Sequence, residues 1–428
     1  MTNRVLLLIP TTSYRTQAFL DAARRIGVEI TVASEHPSIF EERNPAGLMT
    51  LNYRAAEEAV ERATQSSKQH PINAVAGVDD QSVVLAAMIA QALGLDHNSV
   101  PSVSAARNKF VMRQQLAKVS VSQPGFTLVS LNADPHAAAS RVNYPCILKP
   151  LTLAASRGVI RADSEEEFVA AFHRIAAILR VADVASMCHG EEADSILAEE
   201  YIPGKEVALE GLLLNGELRV LALFDKPDPL EGPFFEETIY ATPSRLPKSV
   251  QDQTASCAGR ATRALGLREG PVHAELRVNE NGPWLIEVAA RSIGGYCSRA
   301  LRFVESNQQS HTITLEELIL RHALEMDTQS YQRESPASGV MMIPIPSRGI
   351  LDGVKGLEEA KAMKDIEDVV ISAHLGEHLI PLPEGGKYLG FIFSRAETSE
   401  RVEAALREAH RRLGFVIATE HQIVSRVQ

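Results

Sequence analysis

The chain has 428 residues, for which the soft prior is about three domains. Its 45% apolar and 23% charged residues are those of an ordinary folded globular protein. With 54 acidic against 43 basic side chains the net charge is −11, which argues against nucleic acid or an anionic membrane as main partner, since both reward clustered Lys and Arg. A small anionic ligand needs only a few local cations and is not excluded. The four cysteines (Cys146, Cys188, Cys257, Cys297) lack the Cys-x-x-Cys or Cys/His spacing of a zinc site, so reduced thiols in a cytoplasmic protein are expected. No apolar run approaches the roughly 20 residues that span a bilayer. Residues 5–9 are too short for a signal-peptide core, stop at Pro10, and read as a buried strand.

Residues 1 to about 105 alternate strands at 5–9, 28–33 and 74–78 with helices at 16–26, 55–65 and 80–93. That alternation predicts a parallel, doubly wound α/β sheet. Pro10-Thr-Thr-Ser-Tyr14 stands where nucleotide-binding sheets often carry G-x-G-x-x-G, so a dinucleotide has no glycine cradle there. The unit is expected to be structural or to contribute to a substrate site. Next come a helix over 104–116, strands at 126–129, 146–149 and 158–161, and a helix over 165–179. The polar stretch 181–195 reads as a flexible insertion. After a strand at 196–201, two hairpins follow: 206–214 with 217–225 around Asn215-Gly216, a strong two-residue turn signal, and 272–278 with 284–291 around Asn279-Glu-Asn-Gly282. From about 335 the pattern is a small α+β unit with a helix near 400–413.

The second hairpin carries the chemistry. With a three-residue loop at 280–282, Glu275 falls directly opposite Glu287, His273 opposite Ala289 and Arg277 opposite Leu285, while Val272, Ala274, Leu276 and Val278 meet Trp284, Ile286, Val288 and Ala290 on a core face. Facing carboxylates repel, and a sheet keeps them when a cation neutralises them. Magnesium, held by one or two carboxylates plus substrate phosphates, suits the role. The bland alternative is a solvated face with Arg277 and Arg291 as counter-charges. A two-residue turn at Asn281-Gly282 would put the glutamates on opposite faces.

Lys149 ends an apolar strand, and Ala154-Ala-Ser-Arg-Gly158 is a small-residue loop whose backbone can approach phosphate oxygens. Alone, a lysine at a strand end is usually just solvated, and with one glycine the loop is poorer than typical phosphate loops. Glu199-Glu-Tyr-Ile-Pro-Gly-Lys-Glu206 offers a strand end for an adenine edge and Glu206 for ribose, or else a structural linker.

In order, Asn108-Lys109-Phe110, Tyr144 to Pro150, Ser156-x-Gly158, Glu199-Glu-Tyr-Ile-Pro-Gly-x-Glu206, Gly270-Pro-Val-His-Ala-Glu275 and Ile286-Glu287-Val-Ala-Ala-Arg291 resemble the ATP-grasp superfamily over essentially the whole chain. Phe224-Asp-Lys226, Gly232-Pro-Phe-Phe-Glu-Glu-Thr238 and Glu287-Val-Ala-Ala-Arg-Ser-Ile-Gly-Gly295 narrow the resemblance to bacterial L-amino acid ligases (dipeptide synthetases) and related carboxylate–amine ligases. The resemblance implies a Rossmann-like N-terminal domain (1–105), a small ATP-grasp lobe (106–200), a large lobe with the metal hairpin (201–330) and a C-terminal α+β subdomain (331–428). It implies ATP and Mg2+ or Mn2+ as cofactors, amino acids as carboxylate and amine substrates, an acyl-phosphate intermediate, release of ADP and phosphate, and a homodimer. By the same resemblance Lys109 and Lys149 contact ATP phosphates under the Ser156–Gly158 loop, Glu199, Glu200, Tyr201 and Ile202 hold adenine, and Glu206 holds ribose. Glu275, Glu287 and Glu237 bind metal, Arg291 faces developing negative charge, and Glu237, Tyr240, Ser292, Gly294 and Gly295 shape the substrate pocket with Arg291. Two departures stand out: Ala289 replaces the superfamily's usual asparagine, as in the amino acid ligases resembled, and Tyr240 stands where related ligases often carry a histidine. His273 is either a proton acceptor for the amine or a structural histidine. The competing readings are another ATP-grasp chemistry, such as carboxylation, and a module that binds ATP without turnover.

Overall fold

The computed structural model describes residues 2–11, 13–306 and 308–419. The N-terminal strand Arg4–Leu8 lies between the parallel strands Glu29–Ser34 and Ala74–Gly77, with Leu48–Thr50 outside Glu29–Ser34. Helices cover both faces of such a sheet, so Val5 to Leu8 are buried on both sides. The third helix of this unit, Val83–Leu93, starts later than expected. Asp79 Oδ1 accepts the N–H groups of Gln81 and Ser82, while Ser82 Oγ accepts those of Val78 and Asp79. These bonds satisfy the chain before the helix proper and leave Asp80 on the loop at the strand's C-terminal end.

The single helix expected over 104–116 is broken. Val100–Arg107 and Lys109–Ala117 meet at Asn108, whose backbone is extended (φ −97°, ψ 111°) and whose Oδ1 accepts from the N–H groups of Phe110 and Val111. Asparagine is a preferred N-cap, and here it wins over the continuing helical period. The cap redirects the chain so that Lys109 opens the second helix at the cleft described below. A four-stranded antiparallel sheet follows in the order Phe126–Ser130, Ser195–Glu200, Cys146–Pro150, Ile160–Ala162. The helix Glu165–Leu179 packs Phe168, Phe172, Ile175 and Leu179 against it. The stretch 181–195 is no flexible insertion. It forms the one-turn helices Ala182–Ala185 and Glu191–Asp194, buries Val184 and Cys188 in the same core, and pairs Asp183 with Arg157 at 2.8 Å.

The largest sheet has eight antiparallel strands. From one edge they run Gly282–Ala289, Gly270–Asn279, Lys205–Leu214, Glu217–Asp225, Ile239–Thr242, Ala337–Ile343, Gly390–Ala396 and Ile366–Ile371, so strands from the tail continue the sheet that the hairpins begin. At the first hairpin Asn215 and Gly216 both take positive φ (54° and 88°), which a two-residue turn of this twist requires. The helix Lys248–Leu265 buries Cys257, Ala258, Ala261 and Leu265 against Val272, Leu276, Leu285 and Val288. Its small and polar residues gave little apolar periodicity to read. Ser399–Arg412 covers the far end of the sheet. Among the described residues no helix is long and apolar enough to cross a membrane.

Candidate active site

The edge hairpin brings its glutamates together by a route the sequence did not reveal. Its turn has only two residues, Glu280 and Asn281, between the paired Asn279 and Gly282. That register pairs Arg277 with Trp284, not with Leu285, and continued unbroken it would set Glu275 against Ile286. Instead a bulge at Ile286 adds one residue to the second strand, so that beyond it Glu275 pairs with Glu287, Ala274 with Val288 and His273 with Ala289. Ile286 thereby leaves the expected core face and lines the cleft, whereas Leu285, expected on the polar face, is buried in the core beside Val288.

The cleft has a volume of about 400 Å³ and is walled by residues of the N-terminal unit, the four-stranded sheet, the eight-stranded sheet and the tail. At one end Lys149, buried on the strand Cys146–Pro150, places its Nζ 2.6 Å from Glu199 Oε2. Arg113 binds the same carboxylate, its Nε donating to Oε1 at 2.7 Å. Burial works to raise the Glu199 pKa, but Arg113 and Lys149 outweigh it and bring it down to about 2. Burial lowers the Lys149 pKa against the pull of Glu199, with Arg113 and Lys109 pushing the same way as burial. Lys109 Nζ donates to the Leu153 carbonyl at 2.8 Å and lies 3.3 Å from Glu287 Oε1. Two ammonium groups and the loop Leu153–Ser156 thus surround one end of the cavity, with the buried Arg113 behind Glu199. Ala155 and Ser156 take positive φ there (55° and 54°).

Gly158 does not face the cavity. Its N–H donates to the Pro383 carbonyl at 2.9 Å, and a Cβ on it would stand 2.8 Å from the Pro150 ring. Arg157 Nε donates to the Glu384 carbonyl, and Arg174 pairs with the Glu384 carboxylate at 2.6 Å, so the small-residue loop is tied to the tail segment that carries Tyr388 into the cleft. Next to the loop, Glu200, Tyr201 and Ile202 line the wall. The Ile202 carbonyl accepts from Arg277 Nη1.

Lys226 is the centre that the sequence left without a role. Its Nζ lies 2.8 Å from Glu206, 2.6 Å from Glu237 and 2.8 Å from Glu275, and it rests 4.9 Å from the centre of the Tyr240 ring. Glu206, placed at a ribose by sequence, is drawn into this group and also pairs with Arg277 at 2.9 Å. Burial opposes the Lys226 charge, yet the three carboxylates raise its pKa well above the ordinary value. Within the cluster burial and the neighbouring Glu275 raise Glu237 to about 7 in spite of Lys226, whereas Lys226 and His273 overcome burial to hold Glu275 well below the carboxylate range. His273 sits between Glu210 (3.3 Å) and Glu275 (3.7 Å), and those partners raise its pKa to about 9 against the effect of burial.

The donor set fits a hard divalent cation. Glu206, Glu237 and Glu275 each offer a carboxylate oxygen within 4.8 Å of the others, the one such grouping of three found among the described residues. Glu287 is outside that grouping. Lys226, Arg277 and His273 already balance most of the negative charge of Glu206, Glu237 and Glu275. The acid with least competition is Glu287, 29% exposed and facing the ammonium end of the cleft.

Arg291 does not stand free in the cleft. Its Nη2 donates to Asp80 Oδ2 at 2.7 Å and its Nη1 to the Ser292 carbonyl at 3.1 Å. Ser292 turns away from the cavity, its hydroxyl accepting from the buried Arg15 at 2.9 Å, whereas Tyr240, Gly294 and Gly295 line it. Asp80, Lys226, Arg113 and Glu210 were missed in the sequence. Only Lys226 had a signal there, the Phe224-Asp-Lys226 segment.

Three protein-family models match the chain: an ATP-grasp N-terminal domain over 20–97, an ATP-grasp domain over 142–300 and L-amino acid ligase C-terminal domain 2 over 341–418. Alanine–anticapsin ligase of Bacillus subtilis is 29% identical over 251 residues, 56% of this chain and 52% of that protein. Dapdiamide A synthase of Enterobacter agglomerans is 27% identical over 239 residues, 55% and 54% of the two chains. The chain thus spans about half the length of these curated relatives. The crystal structure of an L-amino acid ligase from Bacillus licheniformis superposes with a TM-score of 0.81 at 25% identity, covering 98% of this chain and 99% of that one. A carboxyaminoimidazole ribonucleotide synthase from Aspergillus clavatus complexed with ATP (TM-score 0.70, 16% identity, 96% and 99% covered) shares the fold. The chain belongs to the ATP-grasp superfamily and carries the C-terminal domain of the L-amino acid ligases.

Proposed function

We propose that the protein is an ATP-dependent carboxylate–amine ligase that joins two amino acids, or an amino acid and another amine, through an acyl phosphate, releasing ADP and phosphate. One observation carries the reading: a single cleft holds Lys109, Lys149 and Arg291 at positions suited to phosphate charge, beside the facing pair Glu275 and Glu287. The relatives named for amide-forming activity support the same class. In this reading residues 1–105 contribute Asp80 and Arg15 to the substrate side, 106–200 and 201–330 hold the nucleotide between them, and 331–428 close the pocket with Tyr388. The buried, unpaired state of all four cysteines supports a reducing, cytoplasmic setting.

Phosphoryl transfer and amide formation both rest on positioning and electrostatics, and no covalent enzyme nucleophile is needed. Lys149, aimed by Glu199, and Lys109 would bind the phosphates, with Ser156 closing over them. Glu199 acts through Lys149, while Glu200, Tyr201 and Ile202 would border the adenine. Glu287 and Glu275, with Glu237 nearby, would hold Mg2+, which when bound supplies charge neutralisation between phosphate oxygens. Arg291 would meet the negative charge that develops on the activated carboxylate. Tyr240, Gly294 and Gly295 would border the amino acid substrates.

The test is a matrix of amino acid pairs scored for ATP-dependent phosphate release, with products identified by mass and bicarbonate as a separate arm. A product of the mass of a dipeptide is expected. Release with bicarbonate alone would favour carboxylation, and background release throughout would favour a non-catalytic module. Independently, Lys149→Ala is expected to weaken nucleotide binding about ten- to a hundredfold, the worth of one charged hydrogen bond, in a fluorescent-nucleotide titration. Unchanged affinity would remove Lys149 from the phosphate site.

A further inference from the structure

Resting on that reading, we infer that Asp80 is a positioning residue: from the N-terminal sheet it holds the Arg291 guanidinium and so keeps Arg291 from neutralising Glu287. Asp80 lies just beyond the C-terminal end of the strand Ala74–Gly77, the end at which open α/β sheets present groups to a ligand crevice. Its backbone is fixed by the reciprocal bonds between Asp79 and Ser82. Arg291, 211 positions away in sequence, is gripped at two points, by the Asp80 carboxylate and by the Ser292 carbonyl. Both side chains are mostly buried, at 12% exposure for Arg291 and 22% for Asp80.

The alternatives open to Arg291 explain why this pairing matters. Arg291 follows Glu287 by four residues, and the Glu287 charge already acts on it, second to that of Asp80 and ahead of Asp79. Glu287 has Lys109 at 3.3 Å. A second cation on the same carboxylate would leave little charge for a divalent ion. A buried ion pair adds little net stability over a well-packed apolar pair, so the geometry it imposes is the more natural reason for its presence. Asp80 therefore separates two tasks within one cleft. It fixes where the guanidinium points, and it leaves the neighbouring acid available as an oxygen donor.

The experiment compares wild type, Asp80→Asn, Asp80→Glu and the double variant Asp80→Asn/Arg291→Met. Each is titrated with Mg2+ in the presence of ADP, following the fluorescence of Trp284, the chain's single tryptophan and part of the same hairpin, alongside ADP binding without metal. For Asp80→Asn the half-saturating Mg2+ concentration is expected to rise about tenfold or more, as for other residues that orient metal ligands, with metal-free ADP binding unchanged. Asp80→Glu should stay within about threefold of wild type, and removal of Arg291 in the double variant should restore Mg2+ affinity. An unchanged Mg2+ requirement in Asp80→Asn would overturn the inference. So would a double variant as weak as the single one, which is the result a merely structural contact predicts. Loss of metal-free ADP binding in Asp80→Asn would also overturn it. The binding readout is independent of turnover: a wild-type protein silent in the amino acid matrix but showing this Mg2+ pattern would defeat the ligase reading and leave Asp80 in its role.

Discussion

Replacing Glu287 by glutamine is expected to lower amino-acid-dependent ATP turnover by about three orders of magnitude, a loss of the size seen when a group that stabilises transition-state charge is removed. The exchange conserves volume and removes one negative charge at the position where the cleft has fewest competing cations. Glu275 and Glu237 cannot substitute, because both are engaged by Lys226. Stability should change little, since Glu287 is partly exposed and its contact with Lys109 is at 3.3 Å. Steady-state ADP release, a melting curve and a Mg2+ titration together separate the outcomes. Near-normal turnover would remove Glu287 from the metal site, and a collapsed melting temperature would mark it as structural.

Lys226→Met should have the largest effect on folding. One buried ammonium group holds three partly buried carboxylates, and removing one partner of a buried charge cluster typically costs about 3–5 kcal/mol. The loss should shrink as pH falls. Lys226 lowers the folded-state pKa of both Glu237 and Glu275, so its loss moves both upward, Glu237 from a value already above that of the unfolded chain. Such groups stabilise the folded state below the unfolded carboxylate range and lose that contribution as pH rises through the raised values. Urea denaturation at pH 8 and pH 5.5 should therefore show the variant closer to wild type at the lower pH. Adding Glu237→Gln should recover part of the deficit, Glu237 being the member already raised to about 7. Equal losses at both pH values would mean that lost packing against Tyr240, and not charge, dominates.

Much of this was legible residue by residue. The helices Thr16–Ile26 and Glu165–Leu179 and the Asn215-Gly216 turn announce themselves through period and turn chemistry, which are local. The break at Asn108 was hidden because the apolar period runs on through it, and only the competition between cap and helix decides. The bulge at Ile286 was hidden because an isoleucine suits the core face and the cleft wall alike. Asp80 and Arg113 were out of reach for another reason. Each acts on a partner contributed by a distant part of the chain, Arg291 and Glu199 respectively, and a single sequence carries no trace of that encounter. The facing glutamates were inferred from a wrong loop length that gave the right pairing.

That last coincidence has a general meaning for the edge hairpin. Side chains on a strand alternate between two sides, so every added or lost residue inverts whatever lies beyond it. Here the short tip and the extra isoleucine are two inversions that cancel, and the acidic pair depends on their parity. The exposed Glu280 and Asn281 at the tip are therefore free to change in type, but the number of residues between Glu275 and Glu287 is not. A lone insertion or deletion anywhere in that stretch would turn one acid away from the cleft and silence it without substituting a single cleft-lining residue.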